Sequence, residues 1–471
     1  MMEKRDPKPA GAECAAQLRT QLAQLERQET AEGGQRLSDD RVLRATIRLA
    51  RVSPLDWLAE VGDSDVRFYG STRDRAQALE IGGVGVADEA VWEQPVRYRD
   101  VVDRLRGTLH KSRPNLRYYG GFRFAPNSVA TTDRTWSVFG VSRFIVPRLE
   151  LISSREGSLL SLHLRPHELH TGIAEHWLSC VEAFSFAPSL RIPLLPVPEE
   201  RTDNPDYSGW EDNVQRALQD VERGDLEKIV LARKVDFQFN RPLDPVALLQ
   251  RLKSATPDCF HFCYMPAREI AFIGASPERL YYREGRAIQT EAVAGTRMRG
   301  HDAEADQRLA AELLASEKEQ REHACVRDGI RDVLTPLCER LEMDEEARLF
   351  QLARGQHLYS AVSGQLRRDV GDADLLEALH PTPALGGTPR KRALARIAEL
   401  EPFDRGWYAA PVGWVSATAT EFSVAIRCGL VQPEKLSLFS GAGIVAGSTP
   451  ASEWEEIELK IRDFIKVLTE T

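Results

Sequence analysis

The chain has 471 residues, 42% of them hydrophobic, and is therefore long enough to bury a large core. Its 62 basic and 71 acidic residues give a formal net charge of -9, which argues against the basic surface that nucleic-acid binding requires. Residues 1–6 carry mixed charge without an apolar core behind them, and no segment approaches about 18 uninterrupted apolar residues, so we expect a cytoplasmic protein without a membrane span.

The first 200 residues are typical of a sheet preceded by one amphipathic helix. Leu18, Leu22 and Leu25 recur at helical spacing among polar neighbours and predict a helix over 14–29. Later segments are rich in aromatic and β-branched residues or alternate apolar with polar ones. They predict strands at 117–125, 136–146 and 159–165.

A proline-rich connection follows, with prolines at 188, 193, 196, 198 and 205, and we place the main internal boundary there, at about residue 200. Val214, Leu218 and Val221 then line one face of a helix predicted over 209–223, which Gly224 ends. Groups of strands alternate with groups of helices from there on, which predicts an α+β fold. The strands are predicted at 227–239, 270–274, 281–292, 408–416, 422–431 and 436–440, and the helices at 303–342, 372–379, 389–399 and 450–469.

Lys228 opens the apolar run 228–233, and Glu278 stands at a turn within residues 274–280. A lysine that leads into a hydrophobic strand and a glutamate at a turn are a candidate base and a candidate acid. Burial disfavours charged forms, so it would favour the uncharged amine and the protonated carboxyl that these roles need. The alternative for Lys228 is a strand-end residue whose amine reaches solvent.

Cys259, His261 and Cys263 share one face of a predicted strand and resemble a soft-metal site. Three candidate ligands are too few, and the neighbouring Phe260 and Phe262 favour a buried strand instead. The seven cysteines are an odd number, scattered through a chain too large to need covalent staples, so we expect reduced thiols.

Two pairs of glutamates lie in strongly helical segments. Glu319 and Glu322 are three residues apart, as are Glu453 and Glu456, so each pair projects from one helix face. If the two helices face each other, the four carboxylates form a hard-oxygen Mg²⁺ site that is open to water and to a substrate oxygen. The alternative is two solvated acidic faces.

Glycines at 441, 443 and 447 precede the second glutamate pair. Their spacing departs from the dinucleotide-binding fingerprint, and no acidic ribose partner follows at the required distance outside the helix. They do allow backbone N–H groups to approach an anion closely at a helix entrance. A substrate carboxylate would fit there.

Six motifs occur in order from about residue 207 to the C-terminus and together resemble the chorismate-utilising enzymes, which include anthranilate synthase component I. The resemblance is strongest to the isochorismate synthases of menaquinone and siderophore biosynthesis. The motifs are residues 228–233, 274–280, 290–296, 322–323, 380–384 and 441–445. Residues 56–58, 67–69 and 120–122 are similar to the family's variable N-terminal region.

This resemblance implies one large α+β domain in which two antiparallel sheets pack face to face with helices outside. Residues 1–200 would be the variable half, and residues 201–471 the half that carries the motifs and the active site. Lys228 would be the general base that deprotonates water for attack at C2 of chorismate. Glu278 would be the general acid that protonates the departing C4 hydroxyl.

The family pattern also implies a cation and a substrate-binding set. Glu322 and Glu456 would ligate Mg²⁺ directly, and Glu319 and Glu453 would hold metal-bound water or adjoining positions. The metal would grip the ring carboxylate of chorismate. The second carboxylate, on the enolpyruvyl arm, would be bound by Tyr408, Arg427, Lys460 and the backbone N–H groups of Gly441 and Gly443. His357 would bind or orient the substrate, although a satisfied core histidine is the alternative. Lys460 lies four residues past Glu456, so a surface ion pair between them is the alternative for that lysine.

Three positions indicate which reaction of the family to expect. Anthranilate synthases typically carry glutamine at the position of Lys228, so water rather than ammonia is the expected nucleophile, and no glutaminase subunit is expected. Aminodeoxychorismate synthases place a nucleophilic lysine at the position of Ala294, so a covalent intermediate is not expected. Enzymes that go on to expel pyruvate tend to have threonine at the position of Ala384, so we expect the reaction to stop at isochorismate.

Two alternatives remain beside a monomeric isochorismate synthase. A salicylate synthase would release pyruvate, whereas a non-catalytic paralogue would bind chorismate without turning it over. Retention of the base, the acid and four metal-site glutamates argues against the second. The sequence leaves open whether the product enters menaquinone, catechol siderophore or salicylate synthesis.

Overall fold

A computed structural model of the chain describes residues 11–31, 41–61, 66–74, 78–112, 115–125, 134–186, 192–352 and 355–469. The charged segment 1–6 and Pro188, both used above, lie outside these ranges. Among the described residues, no helix has the length and apolar character needed to cross a bilayer.

Helices and strands are distributed along the whole described chain. The helices are α1 (Gly11–Ala31), α2 (Pro54–Glu60), α3 (Tyr98–Lys111), α4 (Gly172–Glu182), α5 (Tyr207–Glu222), α6 (Pro245–Ala255), α7 (Ala303–Ala315), α8 (Glu317–Leu334), α9 (Asp372–Leu379), α10 (Arg390–Leu400) and α11 (Pro450–Thr469). The strands before residue 200 are β1 (Leu43–Leu49), β2 (Arg67–Ser71), β3 (Glu80–Val84), β4 (Asp88–Trp92), β5 (Arg117–Phe122), β6 (Ser142–Val146), β7 (Leu149–Ser154) and β8 (Gly157–Leu164). The later strands are β9 (Glu200–Asn204), β10 (Lys228–Gln238), β11 (Phe260–Ala267), β12 (Ile270–Ser276), β13 (Arg279–Glu284), β14 (Ala287–Met298), β15 (Cys338–Met343), β16 (Arg348–Gln351), β17 (Gly355–Leu366), β18 (Gly387–Thr388), β19 (Pro411–Ser416), β20 (Ala419–Val424), β21 (Cys428–Gln432) and β22 (Lys435–Ile444).

These strands form two large antiparallel sheets, which confirms the α+β prediction. The first sheet has the order β1-β8-β7-β3-β2-β11-β12-β21-β22-β10-β18, with β9 beside β10. The second has the order β15-β17-β14-β13-β20-β19-β5-β6-β4, with β16 beside β17. Strands from both sides of residue 200 are hydrogen-bonded within each sheet, for example β2 with β11 and β5 with β19. The two halves are therefore interleaved, whereas their division into a variable and a motif-bearing part stays a prediction.

An aromatic core joins the two sheets. Phe68 of the first sheet stacks on Tyr119 of the second at 4.6 Å between ring centroids, and Tyr264 of the first sheet lies 5.3 Å from Trp407. All four belong to one buried cluster with side chains from both sheets. Because such rings bury large apolar areas, this layer holds the sheets face to face.

Helices cover the outer faces of the first sheet. Leu18 of α1, Leu248 of α6 and Phe464 of α11 pack in one buried cluster with strand residues such as Val235 and Ile273. A separate cluster lies beneath α5, α10 and α11 and contains Ile229 and Leu231 of β10. Helix α11 therefore contacts the sheet from which Lys228 projects.

The structure corrects several predicted elements. The helix predicted over 303–342 is two helices and a strand, because the Ser316 side chain caps α8 by accepting from the Glu319 N–H at 3.4 Å. Gly285, at φ +58°, turns the predicted strand 281–292 into a hairpin. Arg427, at φ +50°, divides the predicted strand 422–431. In the predicted strand 136–146, residues Arg134–Phe139 form a short 3-10 helix before β6.

Candidate active site

A pocket of about 760 Å³, including its opening to solvent, is lined by both sheets, α8 and α11. Ten of the thirteen predicted site residues line it: Glu278, Glu322, His357, Ala384, Tyr408, Arg427, Gly441, Gly443, Glu456 and Lys460. The other three lie behind this wall, where Lys228 donates a hydrogen bond to Glu322 and the charges of Glu322 and Glu456 act on Glu319 and Glu453, respectively.

Lys228 enters the site because side chains alternate along β10. Ile229 and Leu231 face the helices in an apolar cluster, which leaves Lys228 and Val230 on the opposite face. The Lys228 amine is buried and donates a hydrogen bond to Glu322 Oε1 at 2.8 Å. It therefore does not reach solvent, unlike the strand-end alternative.

Gly443 lets this pair form on the neighbouring strand. A Cβ at that position would lie 2.5 Å from Glu322 Oε1 and 2.7 Å from Lys228 Cε. Neither side chain could move away without breaking the hydrogen bond, so the close approach requires glycine.

Glu278 lies on the loop that leaves β12. Its backbone N–H donates to Ser276 Oγ at 3.2 Å, and its carbonyl accepts from the Val424 N–H at 3.1 Å. Burial, together with the charge of Glu291, raises the pKa of the Glu278 carboxyl to about 8 against the opposing charges of Lys228, Lys460 and Arg73. The carboxyl is therefore protonated at neutral pH and can donate a proton.

The two predicted glutamate pairs come together from α8 and α11, with lysines between them. Lys318 Nζ lies 2.7 Å from Glu453 Oε1 and 4.0 Å from Glu319 Oε1. Lys460 Nζ lies 2.7 Å from Glu456 Oε1. Glu319, Glu322 and Glu453 are buried and Glu456 is half-buried, so neither acidic face is solvated.

Burial and mutual repulsion shift these carboxyls in different directions. Burial and the charge of Glu322 raise the pKa of Glu319, and burial and the charge of Glu456 raise that of Glu453. Burial also acts to raise the pKa of Glu456, but the charge and hydrogen bond of Lys460 outweigh it, and this pKa is lowered. Two of the four carboxyls are therefore poorly compensated.

The oxygens available to a cation are identifiable in this group. Glu319 Oε2 and Glu453 Oε2 are buried and accept no hydrogen bond from the described residues. Hard carboxylate oxygens of this kind suit Mg²⁺, so the donor set fits that ion. In the described ranges no three acidic, histidine or cysteine side chains lie together as a metal cluster, and lysines bind one oxygen each of Glu322, Glu453 and Glu456.

The register of β22 exposes two backbone N–H groups to the pocket. The Val230 N–H donates to the Gly386 carbonyl, on the side of β10 that faces away from β22. The hydrogen bonds between β10 and β22 are therefore made by the residues on either side of Val230 and of its partner on β22. The backbone N–H groups of Gly441 and Gly443 consequently point away from β10. Both residues lie beyond Phe439, where the pairing of β22 with β21 ends. The Gly441 carbonyl accepts from Lys460 Nζ at 2.7 Å.

A cation and a phenol complete this end of the pocket. Within the described chain, the Arg427 guanidinium forms no hydrogen bond or ion pair, and burial lowers its pKa. Tyr408 stacks on Phe439 at 5.4 Å between ring centroids, which directs its hydroxyl towards Gly441. A half-buried guanidinium without an ion-pair partner among the described residues, beside donors of this kind, suits a carboxylate ligand.

His357 lies on β17, a strand that the sequence patterns did not reveal. Its Nδ1 is 3.2 Å from the Gly295 carbonyl and 3.1 Å from Thr296 Oγ1, and burial and the charge of Arg427 lower its pKa to about 3. The ring is therefore neutral, and Nδ1–H donates to Gly295. Nε2, buried without a partner among the described residues, is left as an acceptor in the pocket wall.

Other residues of the site carried weaker sequence signals. Lys318 stands directly before Glu319, and a lysine inside an acidic cluster could have been read as its counter-charge. Glu291 lies in the motif at 290–296, but its neighbours in the sequence indicate no role for it. Arg73 lies outside every motif.

The chain is similar to known proteins over most of its length. The family model described as "Chorismate binding enzyme" matches residues 24–469. Isochorismate synthase 2, chloroplastic, of Arabidopsis thaliana is 36% identical over 77% of this chain and 66% of its own length. Isochorismate synthase MenF of Bacillus subtilis is 33% identical over 85% of this chain and 88% of its own. The solved structure of MenF, the menaquinone-specific isochorismate synthase from Escherichia coli, superposes with a TM-score of 0.79 at 28% identity, covering 95% of this chain and all of that one.

Proposed function

This chain belongs to the family of chorismate-binding enzymes, and from that premise we propose that it is an isochorismate synthase that isomerises chorismate. The observation that carries the proposal is a protonated, buried Glu278 in the pocket wall together with a second proton carrier, Lys228 of β10, which lies behind that wall and donates to the pocket-lining Glu322. An isomerisation that exchanges one hydroxyl for another needs one group to take a proton and another to supply one.

The two side chains divide the reaction between them. Lys228 takes a proton from water as its oxygen bonds to C2, the ring double bonds shift, and the C4 hydroxyl leaves as water with the proton of Glu278. One water enters and one leaves, so atoms and charge balance. Because an ammonium group has no lone pair, Lys228 acts as the base only as the neutral amine, which can still donate an N–H to Glu322.

Glu322 and Glu456 are proposed as direct ligands of Mg²⁺, with Glu319 and Glu453 supporting bound water. The unpartnered Oε2 atoms of Glu319 and Glu453 support this assignment. When bound, the ion supplies positive charge for the ring carboxylate of chorismate. Lysines 228, 318 and 460 balance the same carboxylates in its absence.

The enolpyruvyl carboxylate is proposed to bind between Arg427 and the N–H groups of Gly441 and Gly443. Tyr408 adds a hydroxyl, and Lys460 extends from α11 beside it. His357 offers a neutral acceptor, which suits a substrate hydroxyl rather than a carboxylate.

Ala384 and Ala294 both line the pocket: Ala384 supports a reaction that stops at isochorismate, and Ala294 supports one without a covalent intermediate. Neither side chain can act as a nucleophile or donate a hydrogen bond. The product would enter menaquinone or siderophore biosynthesis. The proposal includes a cytoplasmic monomer. No glutaminase subunit is included, because the nucleophile is water rather than ammonia.

Proton NMR of the purified protein with chorismate, first with Mg²⁺ and then with excess EDTA, tests this function. We expect chorismate and isochorismate to approach a metal-dependent equilibrium without pyruvate. Pyruvate with salicylate would identify a salicylate synthase, and binding without conversion would identify a non-catalytic paralogue.

Lys228→Ala should abolish turnover and leave the fold intact. Lys234→Ala is the matched control, because Lys234 lies on the same strand and its amine forms one ion pair among the described residues, with Asp236 at 3.3 Å, outside the pocket. An active Lys228→Ala protein would remove the base assignment.

A further inference from the structure

Arg73 and Glu291 form a buried ion pair beneath the loop of Glu278. Arg73 follows β2 in the first half of the chain, and Glu291 lies on β14, 218 residues later. The guanidinium binds both carboxylate oxygens, at 2.7 and 2.6 Å. Their side chains are 12% and 1% exposed, so water contributes little to balancing either charge.

Each partner also holds one side of the Glu278 loop. Arg73 Nη1 donates to the carbonyl of Pro277, the residue before Glu278. Glu291 Oε1 accepts from the backbone N–H of Arg279, the residue after it, at 2.7 Å. The loop is therefore bound on both sides of the proposed acid by one ion pair.

Aromatic rings restrict the guanidinium to this position. Its central carbon lies 5.2 Å from the ring centroid of Phe260 and 4.9 Å from that of Phe350. Because Arg is planar and these rings lie against it, the fork cannot turn to another carboxylate without losing both contacts.

We propose that Arg73 and Glu291 are a positioning pair for the general acid: they fix the backbone on both sides of Glu278 and act on its carboxyl with charges of opposite sign. This inference rests on the proposed function, since it assigns the pair a part in the same reaction. It also makes the N-terminal half of the chain a contributor to the active site.

The charged groups around Glu278 come from several elements. After burial, Glu291 raises its pKa, whereas Lys228 of β10, Lys460 of α11 and Arg73 lower it. Arg279 of β13, next to Glu278, is balanced by Glu421 of β20 at 3.2 Å. Removing one member of the ion pair therefore leaves the other member's field on Glu278 uncompensated.

A purely structural pair predicts a different outcome. If Arg73 and Glu291 only join two segments, neutralising either one should lower stability in the same direction and leave the protonation of Glu278 unchanged. Two partners of one ion pair that move a pKa in opposite directions cannot be explained by loss of packing.

The test compares the pH dependence of kcat/KM at saturating Mg²⁺ in Glu291→Gln, Arg73→Gln and Arg73→Lys. Glu278 must be protonated, so the alkaline limb reports its ionisation in the free enzyme. Glu291→Gln removes a repelling charge and should move that limb about 1 pH unit lower. Arg73→Gln removes an attracting charge and should move it higher by about the same amount, whereas Arg73→Lys keeps the charge and should leave it in place.

Glu168→Gln is the control. Glu168 forms a comparably buried ion pair with Arg148, at 2.9 Å to Nη2, outside the pocket, and should alter stability without moving the limb. The inference would be overturned if the alkaline limb of the kcat/KM profile did not move in Glu291→Gln and Arg73→Gln, or if it moved in the same direction in both. If Arg73→Gln does not fold, the result for Glu291→Gln decides the inference alone. That substitution replaces one carboxylate oxygen with an NH₂ group and keeps the volume of the side chain. Wild-type protein without turnover would instead overturn the proposed function.

Discussion

Two buried carboxyl groups, Asp372 and Glu278, behave in opposite ways. Arg283 holds Asp372 with two hydrogen bonds, at 2.6 and 2.9 Å, and Thr420 adds another at 3.0 Å. Burial acts to raise the pKa of Asp372, but the hydrogen bond and charge of Arg283 outweigh it, and the pKa is lowered. The result is a carboxylate that stays ionised at neutral pH and joins α9 to β13 and β20.

Glu278 is also buried, but no cation among the described residues forms an ion pair with its carboxyl. Its hydrogen bonds are made by its backbone, and burial raises its pKa to about 8. The comparison shows that burial alone does not distinguish structure from chemistry in this protein. Compensation does: a satisfied carboxylate stabilises the fold, whereas an uncompensated one keeps a proton to donate.

Glu278→Gln should break this comparison most strongly. The amide keeps the volume of the side chain but cannot supply a proton, so kcat should fall by about 10²–10⁴-fold, measured as the initial rate of isochorismate formation. The unfolding midpoint in denaturant should not fall, because no compensating ion pair is lost. A variant with wild-type kcat would exclude Glu278 as the acid.

Asp372→Asn should produce the reverse. It leaves the Arg283 and Arg106 guanidiniums without their charge partner and should lower the free energy of unfolding by about 3–5 kcal/mol in urea titrations. The kcat of the folded protein should stay unchanged, because Asp372 does not line the pocket. A large loss of kcat without a loss of stability would contradict a purely stabilising role for Asp372.

Glu322→Ala should sharpen the comparison at the proposed metal site. Removing a direct ligand should raise the Mg²⁺ concentration needed for half-maximal activity by about 10-fold or more, measured by Mg²⁺ titration of the rate. Glu317→Ala is the control, because Glu317 is exposed on the same helix. Equal Mg²⁺ requirements in the two variants would argue against the ligand assignment.

The pH dependence should separate the two carboxyls in the wild-type protein. Glu278 must be protonated to act, so kcat/KM should fall as pH rises above about 8. Its raised pKa favours folding at low pH, and that contribution is lost as pH rises from the unfolded value of 4.5 towards 8. The lowered pKa of Asp372 acts oppositely, and its contribution is lost as pH falls below the unfolded value of 3.8.

The difference in unfolding free energy between Glu278→Gln and wild type measures the first effect. Relative to wild type, the variant should become more stable from pH 5 to pH 8, because the contribution of the Glu278 proton to wild-type stability is lost over this range. A difference independent of pH would contradict the raised pKa.

Tyr408→Phe should have the smallest effect. Loss of one hydrogen bond to a substrate carboxylate costs about 0.5–1.5 kcal/mol, so KM should rise about 3- to 10-fold with little change in kcat. Tyr264→Phe is the control, because the Tyr264 hydroxyl is buried in the core without a partner among the described residues. An unchanged KM in Tyr408→Phe would remove that hydroxyl from the binding set.

Local patterns predicted much of the site. The apolar run after Lys228, the three-residue spacing of each glutamate pair and the glycines at 441 and 443 are all visible within a few residues of sequence. The structure places these groups around one pocket. Helix breaks and hairpins were predicted less well, because Ser316 and Gly285 interrupt segments whose flanking patterns look continuous.

The sequence by itself determined the fold class, the family resemblance and which residue types could carry the chemistry, because periodicity and motif spacing are local properties. Tertiary structure alone decided how charges are paired: Lys228 with Glu322, Lys318 with Glu453, and Arg73 with Glu291. It also decided that Glu278 keeps its proton while Asp372 does not. The physical reason is that a pKa depends on burial and on charges brought close by folding, and their separation along the chain does not reveal that proximity.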